Sequence, residues 1–177
     1  MVNEKITIVT GNIDSGKTTF ILSLYNELKR GSGFISKKRF VGEGKNISFT
    51  GYDLVNLNTG ENVPLAYKTE FIPQGWDEVC RRGPYSFSGK GFKFGEEIID
   101  RICENIEVGF QIEIEEEPVF IDEIGPLEMN GLGFSKGLRK ILKAGKTLYI
   151  VVRSQILNDV IREFEIVSPR IVVVPSI

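Results

Sequence analysis

The sequence predicts an α/β fold, a mostly parallel β-sheet flanked by helices with a β-hairpin insertion forming an antiparallel edge. Three observations carry this. Short, continuously apolar and β-branched runs recur along the chain, as in strands covered on both faces. Between them lie segments whose apolar residues are spaced by three and four, the period of a helix with one buried face. A middle stretch, at about 34–93, has neither pattern and is rich in glycine, asparagine, serine, threonine and aromatics. The 177 residues are expected to form one domain, 1–177, with this β-rich stretch inserted.

The elements follow in order. Residues 5–10, KITIVT, read as a buried strand ended by Gly11. From Lys17, the spacing of Phe20, Ile21, Leu24 and Leu28 predicts a helix, with Gly31 as its left-handed stop. Residues 34–40 supply a further strand. Residues 48–57 and 62–67 read as two strands, and Asn58-Thr-Gly-Glu61 between them has hairpin-turn chemistry. Residues 71–93 read as loop, with Arg81-Arg82-Gly83-Pro84 at their centre. A helix is expected from Glu96, with Ile98, Ile99, Ile102 and Ile106 on one stripe and a stop near Gly109. The acidic run 113–117 reads as a solvated connection. Residues 118–121 form a short strand running into Asp122-Glu123. Phe134, Leu138, Ile141 and Leu142 mark a helix stopped at Gly145, and 147–152 a strand. Ile156, Val160, Ile161 and Phe164 mark a last helix, and 170–174 a last strand.

Composition removes several classes of function. Hydrophobic residues make up 41% and charged residues 26%, so the chain can bury a real core. Twenty-two basic residues against 24 acidic give a net charge of −2, so no global basic field supports nucleic-acid binding, though a local patch stays open. With no histidine, Ser-His and Cys-His catalysis is excluded. Cys80 and Cys103 cannot build a disulfide scaffold and suit free thiols in a reducing cytoplasm. No apolar run reaches the ~20 residues of a membrane span, and the opening residues do not read as a secretion signal, so a cytoplasmic protein is expected.

One motif dominates the rest. Gly11-Asn12-Ile13-Asp14-Ser15-Gly16-Lys17-Thr18 matches G-x-x-x-x-G-K-[ST], the Walker A phosphate loop, between a predicted strand and a predicted helix. Glycines at 11 and 16 let backbone N–H groups approach an anion. The helix adds the positive end of its dipole. Lys17 adds a full charge near the β- and γ-phosphates, and the Thr18 hydroxyl is a ligand for Mg2+. Thr19 completes the expected nucleotide-binding set.

A second motif is the strand end Val119-Phe-Ile-Asp122-Glu123. Beside a phosphate loop, the first carboxylate holds Mg2+ and the second deprotonates an attacking water. Adjacent strand residues face opposite ways, which suits two roles. This strand is expected beside the first one in a parallel sheet. Asp122-Glu-Ile-Gly125 also fits the D-x-x-G element of small GTPases, but no N-K-x-D base-reading motif accompanies it.

At these motifs the chain resembles the small P-loop nucleoside-triphosphatases of archaea, thermophilic bacteria and animals. The resemblance rests on TGNIDSGKTT, Gly33-Phe34, Gly51-Tyr-Asp-Leu-Val55 and VFIDEIGPLE, the last being the narrowest signature. At Lys45-Asn-Ile-Ser-Phe-Thr50 the chain departs from the family, which has arginine there. The resemblance implies a RecA-like fold and slow, Mg2+-dependent hydrolysis of ATP, GTP and other nucleoside triphosphates to diphosphates. By position it implies Lys17 and Thr18 as phosphate and metal residues, Asp122 as the magnesium partner and Glu123 as the water activator.

Other residues are open between two uses. Arg153, just after a strand, is a candidate for sensing the transferring phosphoryl group or a surface cap. Arg81 and Arg82 could form a lid or a solvated loop, and Tyr52, Tyr67, Trp76 and Phe92 could stack on a base or pack in the core. Two other functions share these motifs. A small nucleotide or metabolite kinase would place its acceptor where water sits. A nucleotide-dependent accessory protein would bind a protein partner, whose identity the residues do not give.

Overall fold

The computed structural model describes residues 5–104 and 117–176. Its elements are β1 (Ile6–Gly11), α1 (Lys17–Leu28), β2 (Ser32–Val41), β3 (Ser48–Asn56), β4 (Asn62–Lys68), β5 (Glu78–Arg82), β6 (Tyr85–Ser88), α2 (Gly89–Glu104), β7 (Val119–Ile124), α3 (Ser135–Lys143), β8 (Leu148–Arg153), α4 (Leu157–Glu163) and β9 (Arg170–Val173). The strands form one nine-stranded sheet in the order β5-β6-β4-β3-β2-β7-β8-β1-β9. From β2 to β9 the neighbours run parallel, and from β2 to β5 antiparallel. The expected mostly parallel core with an antiparallel edge is therefore present, and β2 belongs to both halves.

Apolar runs make this arrangement because both faces of the parallel strands are covered. Ile8, Ile121 and Ile150 point into a core shared with Ile98, Leu138 and Val160 of α2, α3 and α4. Their neighbours Val9, Phe120 and Val151 point the other way, where Ile21 of α1 meets them. Each such fully buried side chain contributes about 1.5–3 kcal/mol. Among the described residues no helix is long and apolar enough to cross a membrane.

Several expectations are corrected. Residues 71–93 are not mainly loop: β5 and β6 form a hairpin there, turning at Gly83, which has φ +54°. α2 begins at Gly89 rather than Glu96. Its first turn is held by the Ser88 hydroxyl, which accepts the Gly91 N–H at 3.1 Å, and by Asp77, whose carboxylate accepts the Lys90 N–H at 2.7 Å. Gly91 and Gly95 sit inside α2 where it presses on Leu65 and Phe134. The left-handed residue after α1 is Lys29, not Gly31. A side chain at Gly31 would collide with Phe120 and the Pro118 carbonyl. Ile106, the stop near Gly109 and the acidic positions 113–116 lie outside the described residues.

β7 is also not the direct neighbour of β1, since β8 runs between them. Because α1 packs across β1, β8, β7 and β2, its first turn still reaches the end of β7. The carboxyl ends of β1, β7 and β8 thus converge on one place, where open α/β sheets bind ligands.

Candidate active site

β1 delivers the chain to Gly11, and after five intervening residues α1 starts at Lys17. The two glycines have different reasons. A Cβ at Gly11 would stand 2.5 Å from the Val174 carbonyl oxygen and 2.6 Å from the Ser15 hydroxyl. It makes room for the Val174 backbone and the Ser15 side chain. Gly16 caps α1 at φ +88° with open space above it. The N–H groups of Lys17, Thr18 and Thr19 follow in the first turn, where none has an acceptor within the helix. Such a turn, with its dipole, is a ready anion site. Lys17 is buried and its Nζ donates to the Asn12 carbonyl at 2.5 Å, across the mouth of the loop. Asp14 sits in the left-handed region at φ +61° and pairs with Lys38 of β2 at 2.7 Å.

Asp122 is 1% exposed. Its Oδ2 accepts the Thr18 hydroxyl at 2.7 Å and the Ser36 amide at 3.1 Å. The Ser36 hydroxyl in turn donates to the Asp122 carbonyl at 2.7 Å. Its Oδ1 is buried with no hydrogen-bond partner among the described residues. Burial pushes the carboxyl up to about 7, the nearby Glu123 charge adds to this, and the Thr18 and Ser36 hydrogen bonds oppose it. A buried oxygen acceptor left without a donor, beside a hydroxyl at the start of a phosphate loop, fits Mg2+. That ion takes one or two protein oxygens and fills its other positions with phosphate and water.

Glu123 turns to the other wall, where Arg153 Nε donates to Oε1 at 2.5 Å. Arg153 is the last residue of β8 and stands opposite Gly11 in the ladder. Both groups are part-exposed on a cleft of about 590 Å³ that also borders Lys17, Thr18, Thr19 and Ile13. One cleft thus gathers the cation, the hydroxyl and the second carboxylate, with Asp122 buried beneath.

Other candidates fall elsewhere. Arg81 pairs with Glu78 at 2.7 Å on the exposed edge strand, and Arg82 borders a different cavity. Tyr67 and Trp76 pack edge to face at 4.8 Å. Tyr52 borders the cleft, with burial and the adjacent Tyr85 raising its phenol above the ordinary range. Sequence reading missed Ser36 altogether, since only the sheet register brings it to Asp122. The IGPLE segment proves to be a brace. Glu128 is buried and its carboxylate accepts the Gly125 and Phe134 N–H groups at 2.9 and 3.1 Å.

Fold and site together define a P-loop nucleotide-binding protein. The family model described as NTPase matches residues 6–175, and the chain belongs to that family. It is 26% identical over 164 residues to the nucleoside-triphosphatase THEP1 of Archaeoglobus fulgidus, covering 89% of this chain and 85% of that one. It is 28% identical over 155 residues to the protein of the same name from Pyrococcus abyssi, covering 85% and 75%. Among solved structures, THEP1 of Aquifex aeolicus superposes with a TM-score of 0.69 at 18% identity, over 96% of this chain and 89% of that one. A human cancer-related nucleoside triphosphatase superposes at 0.67 and 22% identity, over 94% and 86%. At these identities the two structures speak for the fold alone.

Proposed function

We propose that the protein is a Mg2+-dependent nucleoside-triphosphatase that hydrolyses ATP, GTP and other nucleoside triphosphates to the diphosphate and phosphate. The observation that carries this is the separation of the two carboxylates. Asp122 is buried against Thr18, while Glu123 faces the cleft on Arg153. The relatives named nucleoside-triphosphatase support the same reading.

The loop N–H groups from Gly11 to Thr19 and the Lys17 ammonium hold the β- and γ-phosphates. Thr18 and Asp122 are the residues that would hold Mg2+, which when bound neutralises charge on the phosphates. Glu123 orients a water and takes its proton as oxygen attacks the γ-phosphorus. Arg153 keeps that carboxylate in place and sets a cation near the charge developing on the γ-phosphoryl oxygens. None of these groups contacts a base, and no base-reading motif is present, so broad use of ATP, GTP, CTP and UTP follows. The two free cysteines support action in the cytoplasm. Phosphate release measured over the four nucleotides, with and without Mg2+, tests the proposal. Turnover unaffected by chelation, or none with any nucleotide, sinks it.

A further inference from the structure

A second cavity, of about 300 Å³, shares Ser36, Tyr52, Glu123 and Arg153 with the cleft but borders no residue of the phosphate loop. Four further aromatic rings line it, Tyr85 and Phe87 of β6, Phe92 of α2, and Phe134, together with Leu65, Leu127 and two prolines. These rings brace one another. Phe87 and Phe92 stack at 5.7 Å, and Phe92 meets Phe134 edge to face at 5.5 Å. The polar groups are Glu123 and Arg153 where the two cavities meet, the hydroxyl-bearing residues beside them, Arg82 from β5, and Glu128, whose carboxylate is already engaged by the Gly125 and Phe134 N–H groups. An apolar pocket with a few directed polar groups is the ordinary form of a small-molecule site. Its volume is at the lower end for such sites, which suits one planar ring and not a second nucleotide.

The position matters more than the shape. The γ-phosphate of a bound nucleotide lies toward Glu123 and Arg153, so the aromatic cavity opens beyond the transferring end. A ligand seated there would present its edge to the carboxylate that otherwise activates water. We propose that this cavity is a phosphoryl-acceptor site for a small one-ring aromatic alcohol, to which the protein transfers the γ-phosphoryl group. The inference rests on the nucleotide reading above. In the step, the alcohol O–H bond breaks and its proton passes to Glu123. The alcohol oxygen forms a bond to the γ-phosphorus. The bond from that phosphorus to the bridging oxygen breaks, and its electron pair leaves with the diphosphate. The products are a phosphate monoester and the nucleoside diphosphate. Water competes for the same place when the cavity is empty.

The test counts products with the full chain, ATP and Mg2+. Diphosphate and inorganic phosphate are measured separately, with no alcohol or with benzyl alcohol, 3-pyridinemethanol or 5-hydroxymethyluracil. Without alcohol the two products are expected in equal amounts. With at least one alcohol, diphosphate is expected to exceed phosphate at least twofold, the excess appearing by phosphorus NMR as a monoester. Leu65→Trp fills the cavity and is expected to bring the ratio back toward one. The ratio is internal to each sample, so partial loss of active protein does not disturb it. Should that variant not fold, Arg82→Met on the exposed edge strand is read in the same way. Equal diphosphate and phosphate with all three alcohols overturns the acceptor site and leaves the hydrolase reading intact. Diphosphate and monoester formed only when alcohol is present would support the acceptor site and overturn the hydrolase reading instead.

Discussion

The two halves of the sheet differ in how they use their strands. In the parallel half, β7, β8 and β1 end together, and what matters is the residue just at the end of each: Asp122 with Glu123, Arg153 and Gly11. In the antiparallel half, β3, β4, β6 and β5 contribute side faces, with Tyr52, Tyr85 and Phe87 forming a wall rather than a convergence. Strand ends suit catalysis because few backbone positions fix several groups within bonding distance. Strand faces suit enclosure, because alternate residues tile a surface. The lesson is that one continuous sheet divides chemistry from containment along β2.

The sharpest way to break that division is to weigh one substitution from each half. Glu123→Gln should lower kcat by about 10³-fold or more, roughly 4 kcal/mol of barrier, while nucleotide affinity holds. Lys17→Ala should lower turnover as far and also weaken nucleotide binding, without lowering the melting temperature by more than a few degrees. Arg81→Ala, on the antiparallel edge, should leave steady-state turnover within twofold. Comparable losses from Arg81→Ala and Glu123→Gln would erase the comparison.

Stability against pH sharpens it next. Asp122 has a folded pKa of about 7 against an ordinary 3.8. The folded state therefore binds the extra proton, so this contribution is full below about pH 4 and is lost as pH rises through 7. Its upper limit is about 4 kcal/mol in the metal-free protein. Denaturant melts at pH 5 and pH 8.5 should show the parent weakening, and Asp122→Asn weakening much less. The remaining slope in that variant belongs to Glu128, whose burial also raises its carboxyl. A parent equally stable at both pH values contradicts the assignment.

Gly91→Ala probes the enclosing half. Its new Cβ would lie 2.8 Å from the Leu65 Cα and the Pro64 carbonyl oxygen, so α2 must shift off β4. A loss of about 1–3 kcal/mol is expected by thermal or denaturant melting, with acceptor-free hydrolysis per folded molecule little changed. Ser36→Ala removes one hydroxyl bond to the Asp122 backbone. It should cost about tenfold in kcat/KM, near 1.4 kcal/mol, and raise the Mg2+ concentration needed for half-maximal rate. Base choice should fall within the same tenfold range across ATP, GTP, CTP and UTP. A hundredfold preference would place a base-reading group where none was found.

How well the sequence could be read follows the same boundary. The parallel strands announce themselves because burial on both faces demands unbroken apolar runs, and the phosphate loop because its glycines and Lys17 are fixed in spacing. β5 was invisible because none of its residues is buried, so no alternation marks it. The start of α2 was hidden by Gly89, Gly91 and Gly95, where close packing overrides helix propensity. Ser88 is the available signal, as a side chain directly before the helix able to cap its start. The pairing of Arg153 with Glu123 and of Ser36 with Asp122 depends on sheet order, which no local pattern encodes.

Ser36 carries one more consequence. The regular ladder between β2 and β7 closes with Phe34 opposite Ile121, and further on the Ser36 amide donates to the Asp122 carboxylate. The seam between the halves is thus fastened at its open end by a side chain that can titrate. Whatever draws that carboxylate away loosens a single backbone proton. Its exchange with deuterated solvent would then read the state of Asp122 from within the unmodified chain, with no label attached.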